Sequence, residues 1–221
     1  MKIIKLFLTV CSIILFISAA GCKSKSYEKK QYILDAKRIY PPAQNKIAET
    51  LVVSRFTINP VFNSKRFIYQ VGDFEYESDF YNEFFIPPAV MITEKVSNWL
   101  IESGLFEKVT ESTGYAVAPD YIMEGNIYSL YCDFRDKSLP MAVMEIHFFL
   151  SKNESMKEPV VVFSKNYKFS FTFEKGVYVN LIKAFDSCLF EILARMEKDL
   201  TIQLSESTPE LSEQNKLSLT K

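Results

Sequence analysis

Glycine is scarce in this sequence: six residues in 221, at positions 21, 72, 104, 114, 125 and 176. Neither a G-x-G-x-x-G fingerprint nor a phosphate-cradling loop can be written from them, which removes the common nucleotide-binding motifs. Histidine is scarcer still, since His147 is alone and is therefore the single candidate for an imidazole base. The nucleophile elbow G-x-S-x-G does not occur. Cationic excess is missing too, because 26 Lys and Arg stand against 27 Asp and Glu for a formal net charge of −1. That balance lacks the electrostatic footprint of a nucleic-acid binder. No nucleic-acid partner, no cofactor and no metal are expected, and no catalytic residue can be nominated. What remains is a chain that is 48% apolar and 24% charged, with ordinary globular composition and enough length for one domain around a core.

Long apolar runs are absent except at the start. Lys2 and Lys5 precede residues 6–17 (LFLTVCSIILFI), interrupted only by Thr9 and Ser12, and the small residues Ser18, Ala19, Ala20 and Gly21 follow. A membrane-spanning helix needs about 20 apolar residues, so this shorter run reads as a secretory signal peptide over residues 1–21. The stretch Ala19-Ala20-Gly21-Cys22 resembles a bacterial lipobox, departing from it at Ala19, where leucine is usual. The resemblance implies cleavage before Cys22 and lipid attachment through its thiol, the side chain nucleophilic enough to form a thioether. More than one acyl chain makes such attachment lasting. Lys23 stands where an aspartate would retain a lipoprotein in the inner membrane. By resemblance to sorted lipoproteins, the expected location is the outer membrane, facing the periplasm, with the inner membrane as the lesser alternative.

Residues 22–30 form a polar, lysine-rich linker, and residues 205–221 (SESTPELSEQNKLSLTK) carry a composition that predicts a disordered tail. Between them, residues 31–204 read as one domain. Strand patterns cover residues 31–35, 49–58, 66–71 and 74–80, the last two joined at Gly72-Asp73 as a hairpin. Three longer strand patterns follow at 120–134, 141–151 and 159–173, predicting a meander. In the last, Val161, Phe163, Tyr167, Phe169, Phe171 and Phe173 share one parity and Ser164, Asn166, Lys168, Ser170 and Thr172 the other. Met144, Ile146, Phe148 and Leu150 repeat this against Glu145 and His147. One-sided alternation predicts a sheet covered by helices on one face.

Two helices can cover it. Pro87-Pro88 opens the first, with Ala89, Ile92, Val96, Trp99 and Leu100 at helical spacing and Gly104 as its stop. The second spans 177–204 on the stripe Leu181, Ile182, Phe185, Leu189, Ile192, Leu193, Met196 and Leu200. The predicted class is α+β: a largely antiparallel or mixed sheet with two main helices packed on one face.

The order of these pieces resembles the ABC-type transport auxiliary lipoproteins, the PqiC-like family that accompanies MCE-type lipid transport systems. Six segments carry the resemblance: Tyr32 to Asp35, Leu51 to Phe56, Ser64 to Tyr69, Tyr81 to Pro88, Leu105 to Val109 and Asp120 to Gly125. Phe84 and Phe85 stand where the family often has tryptophan. The family implies a non-enzymatic, lipid-anchored periplasmic component of an ABC/MCE intermembrane lipid transport system. Its implied partners are an MCE-family protein and ABC transporter components, with a homo-oligomer also open. The competing reading is an envelope solute-binding lipoprotein or a lipid-anchored enzyme with an unrecognised site.

Several residues invite a closer look. His147 falls on the polar face of its strand beside Glu145. Asp73, Glu75, Glu77 and Asp79 alternate along a hairpin, as a weak cation site or a solvated edge would. Cys132 and Cys188 could form a disulfide in an oxidising compartment or remain as two buried thiols. Tyr81, Phe84, Phe85 and Ile86 form an aromatic segment before the first helix, where a loop is ordinarily polar. These rings either fold under the helix or dock on the MCE protein or a neighbouring copy.

Overall fold

The computed structural model describes residues 28–44, 46–111, 119–153, 158–174 and 176–218. Three long strands form its spine. β7 (Tyr121–Asp133), β8 (Met141–Lys152) and β9 (Val160–Thr172) follow one another as an antiparallel meander. In β8, Met144, Ile146, Phe148 and Leu150 are buried while Glu145, His147 and Phe149 turn to the other face, as a period of two requires. β9 keeps its alternation from Phe163 onward. Val161 does not join it: Leu150 pairs with Phe163 and Ser151 with Val161, so Val162 is an extra residue. This bulge turns Val162 onto the core and Val161 outward, reversing the parity that the sequence suggests.

Along its other edge β7 meets three short parallel segments laid end to end. β2 (Ile47–Val53) pairs with Tyr121 to Met123, β3 (Thr57–Ile58) with Asn126 and Ile127, and β4 (Arg66–Gln70) with Cys132 and Asp133. The sheet therefore forks. One wing continues from β2 to the parallel β6 (Phe106–Glu111). The other continues from β4 to the antiparallel β5 (Tyr76–Phe84) and then to the short parallel β1 (Lys30–Tyr32). The result is a mixed, nine-stranded sheet in an α+β fold.

Helices α1 (Pro88–Ser103) and α2 (Tyr178–Ser218) cover one face and close a single apolar core. Pro88 suits the first turn because its missing N–H would have no partner there. Gly104 ends α1 at φ +62°, a left-handed conformation that costs glycine little. The α2 stripe of Leu181, Phe185, Leu189, Ile192, Met196 and Leu200 is buried. Its backbone stays helical through Ser218, which corrects the disordered tail expected from residue 205 as far as that residue. Glutamate, leucine, glutamine and lysine in that stretch are good helix formers, and each residue added to an existing helix gains a hydrogen bond. Residues 219–221 lie outside the described residues. No helix among the described residues is long and apolar enough to cross a membrane.

Three polar or close-packed junctions lock the layers together. Asp120 accepts hydrogen bonds from the Thr50 backbone N–H at 2.7 Å and the Thr50 hydroxyl at 2.9 Å, clipping β2 to the start of β7. The buried Phe56 ring lies directly over Gly125, where a Cβ would come within 2.2 Å of it. Phe56 also meets Phe148 edge to face, and its N–H donates to Thr93 of α1. Beneath the helices the Arg38 guanidinium makes a two-pronged bond to Glu197, at 2.9 and 2.8 Å, and the Trp99 indole N–H donates to the same carboxylate at 2.7 Å. One acidic group on α2 thereby fastens both α1 and the chain before β2.

Candidate functional site

The most unusual local structure is in the β4–β5 hairpin. Arg66 pairs with Glu83 and Ile68 with Ser78, so Phe67 alone stands opposite the four residues Asp79 to Asn82. The surplus is a wide bulge. Its support is internal: Asp79 is buried, and one of its oxygens accepts the backbone N–H groups of Tyr81 and Asn82 at 2.7 and 3.0 Å. The other accepts from the Tyr69 hydroxyl and the Asn82 amide. Burial opposes ionisation of Asp79, but the hydrogen bonds from Tyr69, Tyr81 and Asn82 outweigh it and lower the pKa below the ordinary value.

The consequence is a pair of rings pushed outward. Phe80 and Tyr81 meet edge to face with centroids 5.1 Å apart and are 58% and 43% exposed. Phe85 and Ile33, 58% and 57% exposed, lie on the adjoining edge, where the Phe85 N–H donates to the Tyr32 carbonyl. Cations border the rings, with Lys29 5.3 Å and Arg66 5.7 Å from the Phe80 centroid. Lys29 also pairs with Glu83 at 3.6 Å.

The four residues nominated from sequence are thus separated. Phe84 is 2% exposed, packs against Phe67 and Phe185, and belongs to the core, which corrects its nomination as a contact residue. Ile86 is half-buried against that core. Tyr81 and Phe85 are outside. Phe80 was missed, because simple alternation does not reveal a four-residue bulge. The available signal was Asp79 placed two and three residues before N–H groups that its side chain can bind.

A cleft of about 570 Å³ opens where the same hairpin meets the start of α2. Tyr69, Phe134, Phe173, Val177, Tyr178 and Leu181 line it, with Glu75, Glu77 and Lys137 also on its wall. Burial raises the pKa of both Tyr69 and Tyr178, so their phenols stay neutral near pH 7. Asp73 pairs with Arg135 at 3.5 Å. Among the described residues no three His, Cys, Asp or Glu side chains are placed to hold a metal ion.

The remaining nominations resolve simply. His147 stacks on Phe149 at 4.2 Å and shares a 2.9 Å hydrogen bond with Ser164, on the sheet face away from the helices. Cys132 and Cys188 are both buried and both free, so the disulfide alternative is not realised. Burial pushes the Cys188 thiol up to about 12 and the Cys132 thiol well above its usual value, which makes both inert. Cys22 and the signal segment lie outside the described residues.

Comparison with known proteins gives a fold. No family model matches the chain, and no curated protein is similar to it in sequence. The chain is similar in fold to protein XCC0632 from Xanthomonas campestris, described with the DUF330 family. The TM-score is 0.70 at 17% identity, over 81% of this chain and 99% of that one. A second solved structure, of an uncharacterised protein, aligns with a TM-score of 0.58 at 11% identity over 78% and 99% of the two chains. The hypothetical protein CT253 from Chlamydia trachomatis follows at 0.47 and 9%, over 68% and 96%. The likeness in fold to XCC0632 thus extends along nearly the whole of that chain.

Proposed function

We propose that this chain is a lipid-anchored auxiliary component of an ABC/MCE-type lipid transport system. It sits on the periplasmic side of the outer membrane and works by contact with other proteins rather than by catalysis. One observation carries the reading. The six segments that resemble the auxiliary lipoproteins fall in order along the fold: the end of β1 and the chain after it, the end of β2, β4, the end of β5 into α1, β6 and the start of β7. Several of the residues that make those segments distinctive have structural work. Asp120 clips β2 to β7, Gly125 admits Phe56, and Pro88 opens α1. The similarity in fold to XCC0632 supports the architecture that this reading requires. An MCE-family protein and the ABC transporter components are the partners, and a homo-oligomer is compatible with this reading.

The test is affinity purification of the tagged, membrane-extracted protein from crosslinked cells of its own organism, followed by mass spectrometry. Enrichment of an MCE-family protein and of ABC transporter subunits is expected. Recovery of an unrelated enzyme complex, with neither of these enriched, would contradict the assignment.

A further inference from the structure

We propose that the outward rings of the β1–β5 wing rest on the lipid surface, so that the domain is docked on the bilayer and not merely tethered to it. The inference rests on the reading of Cys22 as the acyl anchor. Two features of the molecule lead to it.

The first is reach. The described chain begins at Glu28, and Lys29 already stands beside the Phe80 ring. Seven residue steps separate Cys22 from Lys29, and an extended chain advances by about 3.3–3.6 Å per residue, so this edge can be no more than about 25 Å from the anchoring lipid.

The second is chemistry. Phe80, Phe85 and Ile33 are large apolar side chains exposed together on one edge of the sheet, with Tyr81 beside them. Ile33 follows the core-facing Tyr32 and Phe85 follows the buried Phe84, so these two turn away from the core, while the bulge sets Phe80 outside it. Lys29 and Arg66 flank them as cations at the same level. Aromatic rings with basic neighbours suit the boundary between acyl chains and anionic headgroups. The bulge clamped by Asp79 sets the rings proud of the strand, as a flat strand edge would not.

The experiment uses the mature protein extracted from producing cells and reconstituted in vesicles of phosphatidylethanolamine and phosphatidylglycerol, with plain or brominated acyl chains. Trp99 is the only tryptophan and is buried, so it reports the background. A Phe80→Trp variant keeps an aromatic ring at the bulge. Brominated lipid is expected to quench its emission about twofold more strongly than that of the wild type, as a ring at headgroup depth requires. Ile202→Trp, exposed on α2, controls for collisions and should match the wild type. Phe85→Trp gives a second reading should Phe80→Trp fold poorly. Equal emission in plain and brominated vesicles overturns the proposal, whether the ring stands in water or is covered by a protein. Flotation and the mass of the N-terminal peptide, taken on the same sample, separate the two claims. Floating protein with acylated Cys22 and unquenched rings rejects the docking alone, whereas unmodified Cys22 rejects the anchor, and quenching of that protein would still uphold the docking.

Discussion

Asp79 accepts a hydrogen bond from the Tyr69 hydroxyl at 2.5 Å, and this bond fixes a buried carboxylate beneath the bulge that carries Phe80 and Tyr81. The same group ties the cleft wall to the bulge, since Tyr69 lines the cleft.

Removal of that carboxylate should loosen the bulge. Asp79→Ala leaves the Tyr69 hydroxyl and two backbone N–H groups without their acceptor, and each unsatisfied buried group costs about 1–3 kcal/mol. The pH dependence has a defined sign. The folded pKa of Asp79 is lowered, so its stabilising contribution is present above the ordinary carboxylate value of about 4 and fades as the pH falls through the lowered folded value. The difference in melting temperature between wild type and Asp79→Asn should therefore be largest near neutral pH and shrink below about pH 4. A difference that does not change with pH would show that Asp79 is not ionised in the folded protein.

Gly125 and Phe56 should behave as one unit. Gly125→Ala places a methyl group against the Phe56 ring, and overpacking of this kind costs about 1–3 kcal/mol. Adding Phe56→Leu removes much of the obstruction, so the double variant should be more stable than the sum of the two single losses predicts. Strict additivity in denaturant titrations would contradict the contact.

The α2 stripe offers the simplest test of the packing. Leu189 is fully buried in the cluster between α2 and the sheet, and a leucine-to-alanine change in such a place costs about 2–5 kcal/mol. For a chain of this size that lowers the melting temperature on the order of 10 °C. A variant that melts with the wild type would place Leu189 outside the core.

Legibility in the sequence followed the range of the interactions. The meander and the α2 stripe were plain because alternation and helical spacing are local consequences of one-sided burial. Residue types at turns marked both ends of α1. The fork was not readable, because β2, β3 and β4 share the edge of β7 through pairings more than fifty residues apart in the chain. Both bulges escaped for a related reason. An inserted residue reverses parity at Val162, and four residues stand against one at Asp79 to Asn82, yet neither change alters composition. Phe84 and Phe85 are neighbours of the same type, and only strand direction sends one to the core and the other to the surface. Of the nominated aromatic segment, Tyr81 and Phe85 stand at the surface while Phe84 belongs to the core.

Placement at the envelope turns on Cys22, and one mass measurement decides it. Protein extracted from the membranes of producing cells is digested, and its N-terminal peptide is weighed. The mature chain should begin at Cys22, with a diacylglyceryl group on the thiol, and Cys22→Ala should abolish that mass and release the protein from the membrane fraction. A peptide that retains residues before Cys22, or an unmodified Cys22, would contradict the lipid anchor and the envelope role built on it.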